Sequence, residues 1–164
     1  MDSAALTEHL KREARRLGFP LVGAAPAVEA DGFLRFREWL AAGYAGEMRY
    51  LAEREEAYAH PEGVQPGVRS LLLLGMPYRT EEPRPTAPGE GRISRYAWGE
   101  ADYHDLIRER LHQLADELRR HEPACHVRGV VDTAPLLERE FASRAGLGWI
   151  GKHTLLLNQT GSLF

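Results

Sequence analysis

One stretch, in which an apolar run is followed at once by a helix pattern, constrains this fold more than any other part of the sequence. Residues 127–131 are mostly apolar, Asp132 follows at once, and Pro135 stands where a helix pattern begins. Proline suits the first helical position because its φ is already helical and its missing N–H would have no partner there. The pattern predicts a strand over 127–131 and a helix that ends at Gly146. Asp132 is expected at their junction, where rigid elements aim side chains into a crevice.

Helix and strand patterns elsewhere predict an α+β fold in which a mixed sheet is flanked by helices. The clearest helix spans about 102–120, because its apolar residues recur at helical spacing and Asp102 can cap its first turn. Apolar runs bounded by turn residues predict strands. Further helices are predicted over 6–17 and 33–43 and within 44–56, strands over 21–25, 70–75, 93–98 and 155–157, and a surface loop over 79–91.

Composition is typical of one globular domain of 164 residues in a reducing, cytoplasmic setting. Hydrophobic residues make up 43% of the chain, and no apolar run approaches the ~18 residues of a membrane span. Cys125 is the single cysteine, which excludes an internal disulfide and is typical of a cytosolic protein. The net charge of −3 gives no general attraction to nucleic acid, although it is compatible with a local basic patch.

The glycine-rich stretch 146–151 matches the G-x-G-x-x-G fingerprint of dinucleotide-binding proteins, but its context is reversed. That fingerprint follows a strand and opens a helix, whereas here a helix pattern precedes the glycines and a strand pattern follows them. A phosphate loop over 146–152 is disfavoured as well, since His153 replaces the serine or threonine that holds magnesium. The glycines predict instead a tight helix-to-strand turn whose backbone lies close either to the core or to a ligand.

Several polar residues near predicted element ends are candidate functional residues, and each has a purely structural alternative. Asp132 is expected to be partly buried, which raises a carboxyl pKa and favours general-acid chemistry, but it can equally cap the next helix. Asp102 can be only a helix cap, His104 can be an ordinary imidazole, and Arg95 can pair with a surface acid. No metal site is predicted, since compact ligand spacing is lacking among His104, His112, His121, His126 and His153.

Four ordered motifs resemble those of one known family. They are GYAGEMRYL at 43–51, RYAWGEADYH at 95–104, VDTAPLLER at 131–139 and AGLGWIGKHT at 145–154. On these motifs the chain is similar to epoxyqueuosine reductase, a cobalamin-dependent, iron–sulfur enzyme of tRNA modification. The similarity runs from about residue 6 to residue 164, and four motifs in order are more specific than any single pattern.

This resemblance implies a fold, a reaction and a set of site residues. Family members reduce the epoxide of epoxyqueuosine at the tRNA wobble position to give queuosine. Their N-terminal part resembles the nitroreductase-like cobalamin-binding domain of reductive dehalogenases. Asp132 matches the proton donor of the family, and Asp102 and His104 match positions near the substrate. Cobalamin contacts map to Ser94, Arg95, Tyr96, Asp132, Gly151, Lys152, His153 and Leu156.

The resemblance also implies further cofactors and partners. Family members carry two four-iron clusters in a C-terminal part, take electrons from an external donor, and bind the tRNA anticodon stem-loop. Cys125 alone cannot ligate such a cluster. Residues 1–164 are therefore expected to be the cobalamin-binding catalytic domain of a longer enzyme, present as a fragment that is inactive without its iron–sulfur domain. One departure is Tyr58, which stands where many members carry arginine.

Two other functions fit the same sequence. A flavin-dependent, nitroreductase-like oxidoreductase on a related scaffold would bind flavin tightly. A non-catalytic interaction module would bind a partner or tRNA and neither cofactor. Affinity for cobalamin separates both from the epoxyqueuosine reductase interpretation.

Overall fold

A computed structural model describes residues 2–162 as a mixed α and β fold that divides into two compact units. Within that range the strands pair in two separate two-stranded sheets rather than in one larger sheet. The helices are α1 (Ser3–Arg16), α2 (Phe33–Ala41), α3 (Arg49–Glu53), α4 (Tyr103–His121) and α5 (Glu138–Arg144). The strands are β1 (Leu21–Pro26), β2 (Ser70–Gly75), β3 (Trp149–Ile150) and β4 (Leu156–Leu157). Short 3-10 turns lie at Glu55–Tyr58, Pro61–Gly63 and Arg95–Ala97.

In the first unit, whose described residues are 2–21 and 75–131, helix α1 packs against helix α4. Ala14 on α1 and Leu114 and Ala115 on α4 are buried, whereas many other positions on both helices are charged. Because an amphipathic helix is stabilised mainly by burying its apolar stripe, this contact explains why both helices form where the spacing predicts them.

Helix α1 ends in a turn that favours glycine. Gly18 has a φ of +91°, and its N–H donates to the carbonyl of Arg15 at 3.0 Å. The N–H of Phe19 donates to the carbonyl of Ala14, also at 3.0 Å. This Schellman arrangement satisfies the last helical carbonyls and places the fully buried Phe19 side chain in the core. The predicted helix end at Gly18 is confirmed.

The second unit comprises residues 22–74 and 132–162 and holds α2, α3, α5 and the strand pairs, apart from one end residue each of β1 and β2. Strands β3 and β4 form an antiparallel hairpin, in which Trp149 pairs with Leu157 and Ile150 with Leu156. The strands predicted over 21–25, 70–75 and 155–157 are confirmed, with small changes in their bounds.

Helix α5 is seated closely on β1 within this unit. A Cβ atom at Gly23 would overlap the carbonyl oxygen of Ala145, the residue that caps the end of α5. Glycine therefore lets the strand backbone touch the helix end. Phe141 of α5 is fully buried, and Gly146, with a φ of +80°, ends the helix as predicted.

Residues 127–131 do not form the predicted strand. Gly129 passes so close to α4 that a Cβ there would lie 3.0 Å from the Cβ of Leu111. The apolar run is thus explained by packing against a helix and not by pairing in a sheet. Asp132 consequently follows an irregular segment and does not lie at the mouth of a strand.

Two further local predictions are wrong. The strand predicted over 93–98 is replaced by a 3-10 turn, because Ile93 is 67% exposed and the indole Nε1 of Trp98 donates back to its carbonyl at 3.1 Å. The helix predicted from Pro135 begins only at Glu138. Pro135 is buried in an irregular stretch, and the residue that precedes the helix is Leu137.

Candidate functional site

Asp132 lies in a strained turn of the second unit. Its φ is +54°, a left-handed conformation that few residues other than glycine, asparagine and aspartate adopt. Its side chain is exposed, so the burial expected from the preceding valines is wrong. It does not cap α5, since Leu137 holds that position. Both terminal nitrogens of Arg54 donate to the carbonyl of Thr133, at 3.3 and 3.2 Å, which holds this turn in place.

Glu138, the first residue of α5, carries a strongly perturbed carboxyl. Burial of this group, reinforced by the negative charge of Asp132, raises the pKa of Glu138 to about 7. The positive charge of Arg139 and a hydrogen bond from the backbone N–H of Asp132 oppose that rise. Near neutral pH Glu138 therefore holds a proton about half of the time.

We call these two residues the Asp132–Glu138 pair. The carboxyl of Asp132 is exposed on a strained turn, and the neighbouring carboxyl of Glu138 is half-buried. Two carboxyls in different environments are a common basis for acid–base chemistry, because one can hold a proton while the other is ionised. Glu138 is not among the residues that the sequence patterns indicate, although the third motif contains it. The feature that could have indicated Glu138 is a carboxylate at the start of a helix whose first apolar residue is buried.

The turn between β3 and β4 carries three residues that the resemblance assigns to cobalamin, and Leu156 at the start of β4 is a fourth. The N–H of Thr154 donates to the carbonyl of Gly151 at 2.9 Å, and the N–H of Leu155 donates to Nδ1 of His153 at 3.2 Å. Thr154 has a φ of +68°, which is strained for a β-branched residue, and Arg139 donates to its carbonyl at 2.8 Å. Lys152 and His153 are exposed, whereas Gly151 and Leu156 are half-buried.

The glycines of the fourth motif serve the packing of this hairpin. A Cβ at Gly148 would overlap the carbonyl oxygen of Leu157, and one at Gly151 would lie 2.6 Å from the ring of His153. The backbone at these glycines is thus close to the protein's own strand and turn.

Asp102 and His104 form a second candidate cluster, in the first unit. Oδ1 of Asp102 accepts from the backbone N–H of His104 at 2.9 Å, so Asp102 caps α4 as predicted. The same oxygen lies 2.7 Å from Nδ1 of His104. The backbone hydrogen bond and then the imidazole contact hold the pKa of Asp102 below its usual value. An ionised carboxylate only accepts, so Nδ1 of His104 donates and the ring orientation is fixed.

Aromatic rings connect this cluster to the turn at Ser94–Tyr96. The ring of Tyr103 stacks on His104 with centroids 4.1 Å apart, and Tyr96 meets Tyr103 edge-on at 6.0 Å. The structure therefore connects Tyr96, a predicted cofactor residue, to His104, a predicted substrate residue, through the ring of Tyr103. Ser94 is exposed and precedes the 3-10 turn.

Arg95 has a buried donor that the described residues do not satisfy. Its guanidinium lies over the ring of Trp98 at 5.6 Å, and Nη2 is 3.5 Å from a carboxylate oxygen of Glu82. Within residues 2–162, Nη1 is buried and has no hydrogen-bond partner. A surface ion pair therefore explains only one end of this side chain.

Tyr58, the departure from the family pattern, is a core residue. Its ring packs on Phe36 with centroids 4.7 Å apart, and burial raises its pKa above the usual value. Packing accounts for this side chain without any ligand.

Comparison with known proteins agrees with the four motifs. A family model described as epoxyqueuosine reductase QueG, DUF1730 matches residues 59–133, a range that includes Asp102, His104 and Asp132. A curated epoxyqueuosine reductase of Gloeobacter violaceus is 43% identical over 156 residues, which cover 94% of this chain and 48% of that protein. The chain thus spans about half the length of this relative.

Solved structures agree as well. A crystal structure of selenomethionine-labelled epoxyqueuosine reductase matches with a TM-score of 0.82 and 27% identity. A second, of epoxyqueuosine reductase with an epoxyqueuosine-modified tRNA-Tyr stem loop, matches with a TM-score of 0.80 and 26% identity. Each comparison covers 99% of this chain and 44% of the other.

Fold and sequence thus show the same similarity. The resemblance to epoxyqueuosine reductase is confirmed. Within residues 2–162, none of the helices is long and apolar enough to cross a membrane.

Proposed function

We propose that this chain is the cobalamin-binding catalytic domain of an epoxyqueuosine reductase, which reduces epoxyqueuosine in a tRNA anticodon stem-loop to queuosine. The observation that carries the proposal is the Asp132–Glu138 pair, an exposed carboxyl in a strained turn backed by one whose pKa is about 7. The relative of that name supports the reaction, and the tRNA stem loop in one structure supports the substrate.

Two observations in the first unit support a large cofactor with hydrogen-bond acceptors. Leaving a buried donor such as Nη1 of Arg95 unsatisfied costs roughly 1–3 kcal/mol, so an acceptor from a ligand is expected there. The ring of Tyr96 is 54% exposed and offers a flat apolar surface. Cobalamin fits both features, since it combines a flat corrin with amide and phosphate oxygens. When bound, it supplies the electrons for the reduction.

Each unit carries residues that the resemblance assigns to this cofactor. Lys152 suits an amide or phosphate oxygen, because its ammonium group is exposed on a turn with a defined backbone. The finer likeness of the fold to the nitroreductase-like cobalamin-binding domain of reductive dehalogenases is part of the same proposal. The proposed contacts are Ser94, Arg95 and Tyr96 in the first unit, and Asp132, Gly151, Lys152, His153 and Leu156 in the second.

Asp132 is the proposed proton donor. Removing an epoxide oxygen as water consumes two electrons and two protons, and the departing oxygen must be protonated as its C–O bonds break. Asp132 delivers the first of these protons to the departing oxygen. Glu138, which holds a proton near neutral pH and bonds to the backbone of Asp132, is the group that supplies the next one.

Asp102 and His104 have a positioning role toward the substrate. The short contact between the Asp102 carboxylate and Nδ1 of His104 fixes the imidazole, and the stacked Tyr103 ring limits its rotation. A fixed imidazole recognises a hydroxyl or a base edge at low entropic cost.

Electron supply requires residues from outside this sequence. Cys125 is the only cysteine of the 164 residues, so the two four-iron clusters that the resemblance implies need other ligands. An external electron donor and a cytoplasmic location complete the proposal.

Cobalamin binding is the direct test. Mixing the 164-residue chain with cobalamin should change the visible spectrum and make the two co-elute on gel filtration. Arg95→Met should weaken that binding, whereas Arg92→Met, an exposed arginine of the neighbouring loop, should leave it unchanged. Cobalamin that elutes alone with an unaltered spectrum would contradict the proposal. Retention of flavin instead would favour the nitroreductase-like alternative.

A further inference from the structure

Two histidines and a glutamate converge between α1 and α4 in the first unit, away from the residues assigned to substrate and cofactor. Nε2 of His9 on α1 lies 2.8 Å from Oε1 of Glu117 on α4. Nε2 of His121, at the end of α4, lies 3.2 Å from the same oxygen. One ligand atom from each of the three residues can be chosen so that all lie within 4.8 Å of one another.

The helices place these side chains together for a simple reason. Glu117 and His121 are four residues apart and so lie on one face of α4. His9 faces them from α1, which packs against α4. His9 and Glu117 are half-buried and His121 is more exposed, so the group is preformed by packing yet open to solvent on one side.

The distances suit a first-row transition metal. With metal–ligand bonds of about 2.0–2.2 Å in a tetrahedral arrangement, neighbouring ligand atoms of one ion lie about 3.3–3.6 Å apart. The two contacts to Oε1 of Glu117, at 2.8 and 3.2 Å, are somewhat shorter than that spacing, so the three side chains would move slightly apart around a bound ion. The rings of His9 and His121 meet edge-on with centroids 4.7 Å apart, so both imidazoles lie beside the same carboxylate oxygen.

We infer that His9, Glu117 and His121 form a binding site for a divalent transition metal of the zinc type. Two imidazole nitrogens and one carboxylate oxygen favour zinc, nickel, cobalt or copper over magnesium and calcium, which prefer oxygen ligands alone. Three protein ligands leave a further coordination position for water. Because the ligands come from two helices, the metal would link α1 to α4.

The surroundings of the site are mixed in charge. Arg120 donates to the second carboxylate oxygen, Oε2 of Glu117, which orients the carboxylate and leaves Oε1 toward the histidines. A small open cavity beside Glu117 is lined mostly by charged residues of both helices, and neither histidine lines it.

The competing interpretation is a pair of ordinary hydrogen bonds from the histidines to Glu117. These bonds, the one from His9 first, hold the pKa of Glu117 below its usual value. Such a cluster would fasten α1 to α4 without binding a metal. Only metal-binding measurements separate the two interpretations.

The experiment titrates the tag-free 164-residue chain with Zn²⁺ by calorimetry and with Co²⁺ by visible absorption. One ion of each per chain is expected, with Co²⁺ bands typical of nitrogen and oxygen ligands and a Zn²⁺-dependent rise in Tm. His9→Gln and His121→Gln should each weaken Zn²⁺ binding at least ~10-fold, since even changes outside the ligand set cost about 10–100-fold.

Two control variants test whether Zn²⁺ binds at the proposed ligands and not at another histidine or at the thiol. His112→Gln changes an exposed histidine of α4, and Cys125→Ser removes the thiol, so both should bind Zn²⁺ as the unmodified chain does. Circular dichroism confirms that each variant is folded. Absence of Zn²⁺ binding, or equal binding by the His9→Gln variant, would overturn the inference, as would loss of the site in Cys125→Ser.

Discussion

Replacing Glu138 by glutamine tests the acid–base chemistry attributed to the Asp132–Glu138 pair. Glutamine keeps the shape of the side chain and an oxygen that accepts the backbone N–H of Asp132, but it cannot ionise. The pKa of Glu138 rises from the ordinary 4.5 to about 7 in the folded chain, chiefly through burial. At ~1.4 kcal/mol per tenfold change in the dissociation constant, that rise corresponds to about 3 kcal/mol.

The sign follows from proton linkage. Below the ordinary pKa of 4.5 the folded and unfolded chains both hold the proton, and Glu138 contributes its full stability. As pH rises toward about 7 the unfolded chain releases the proton first, so the free energy of unfolding falls. Because glutamine cannot ionise, the free energy of unfolding of the Glu138→Gln variant does not fall in this way. Its stability relative to the unmodified chain should therefore increase by about 3 kcal/mol between pH 4.5 and pH 7.5.

Urea unfolding of both proteins at intervals from pH 4.5 to pH 8 measures this difference. Glu47→Gln, which changes an exposed glutamate of the first motif, is the control and should give a difference that does not vary with pH. Asp132→Asn should move the transition of Glu138 to lower pH, because it removes a neighbouring negative charge. A pH-independent difference for Glu138→Gln would refute the reasoning.

Three further predictions follow from single contacts. In an epoxyqueuosine reductase that contains this chain and is saturated with cobalamin, Asp132→Asn should lower epoxide reduction by roughly 10²–10⁴-fold, measured on a modified tRNA stem loop; unchanged turnover would remove Asp132 from the mechanism. Gly148→Ala should destabilise the chain by about 1–3 kcal/mol in urea unfolding, because its methyl group would overlap a backbone carbonyl, whereas Gly91→Ala, in open space, should not. Asp102→Ala should lower Tm through loss of the α4 cap, and more than Asp105→Ala in the same first turn does; equal effects would show that the cap is unimportant.

Elements with a strong local signal were predictable from the sequence. Helix α4 has a long apolar stripe and a capping aspartate, and α1 ends at a glycine that adopts a positive φ. In these cases the local preference and the tertiary packing agree, so pattern alone suffices. The cap at Asp102 and the helix end at Gly146 follow the same logic.

Predictions failed where a distant partner decided the outcome. Residues 127–131 have the composition of a strand but pack on Leu111 of α4, which no local pattern reveals. The raised pKa of Glu138 depends on burial and on the turn that brings Asp132 to it. The cluster of His9 with Glu117 and His121 was invisible for the same reason, since its members are up to 112 positions apart in the chain.

The contact between Gly23 and Ala145 has a consequence for mutational sensitivity. Helix α5 has only seven residues, or about 10 Å of length. A displacement of its last turn, where it contacts Gly23, would therefore also displace Glu138 in its first turn. A methyl group at position 23, far along the sequence from every proposed acid, would therefore change how Glu138 holds and releases its proton. The absence of a side chain at Gly23 therefore helps to set the position of Glu138 at the start of α5.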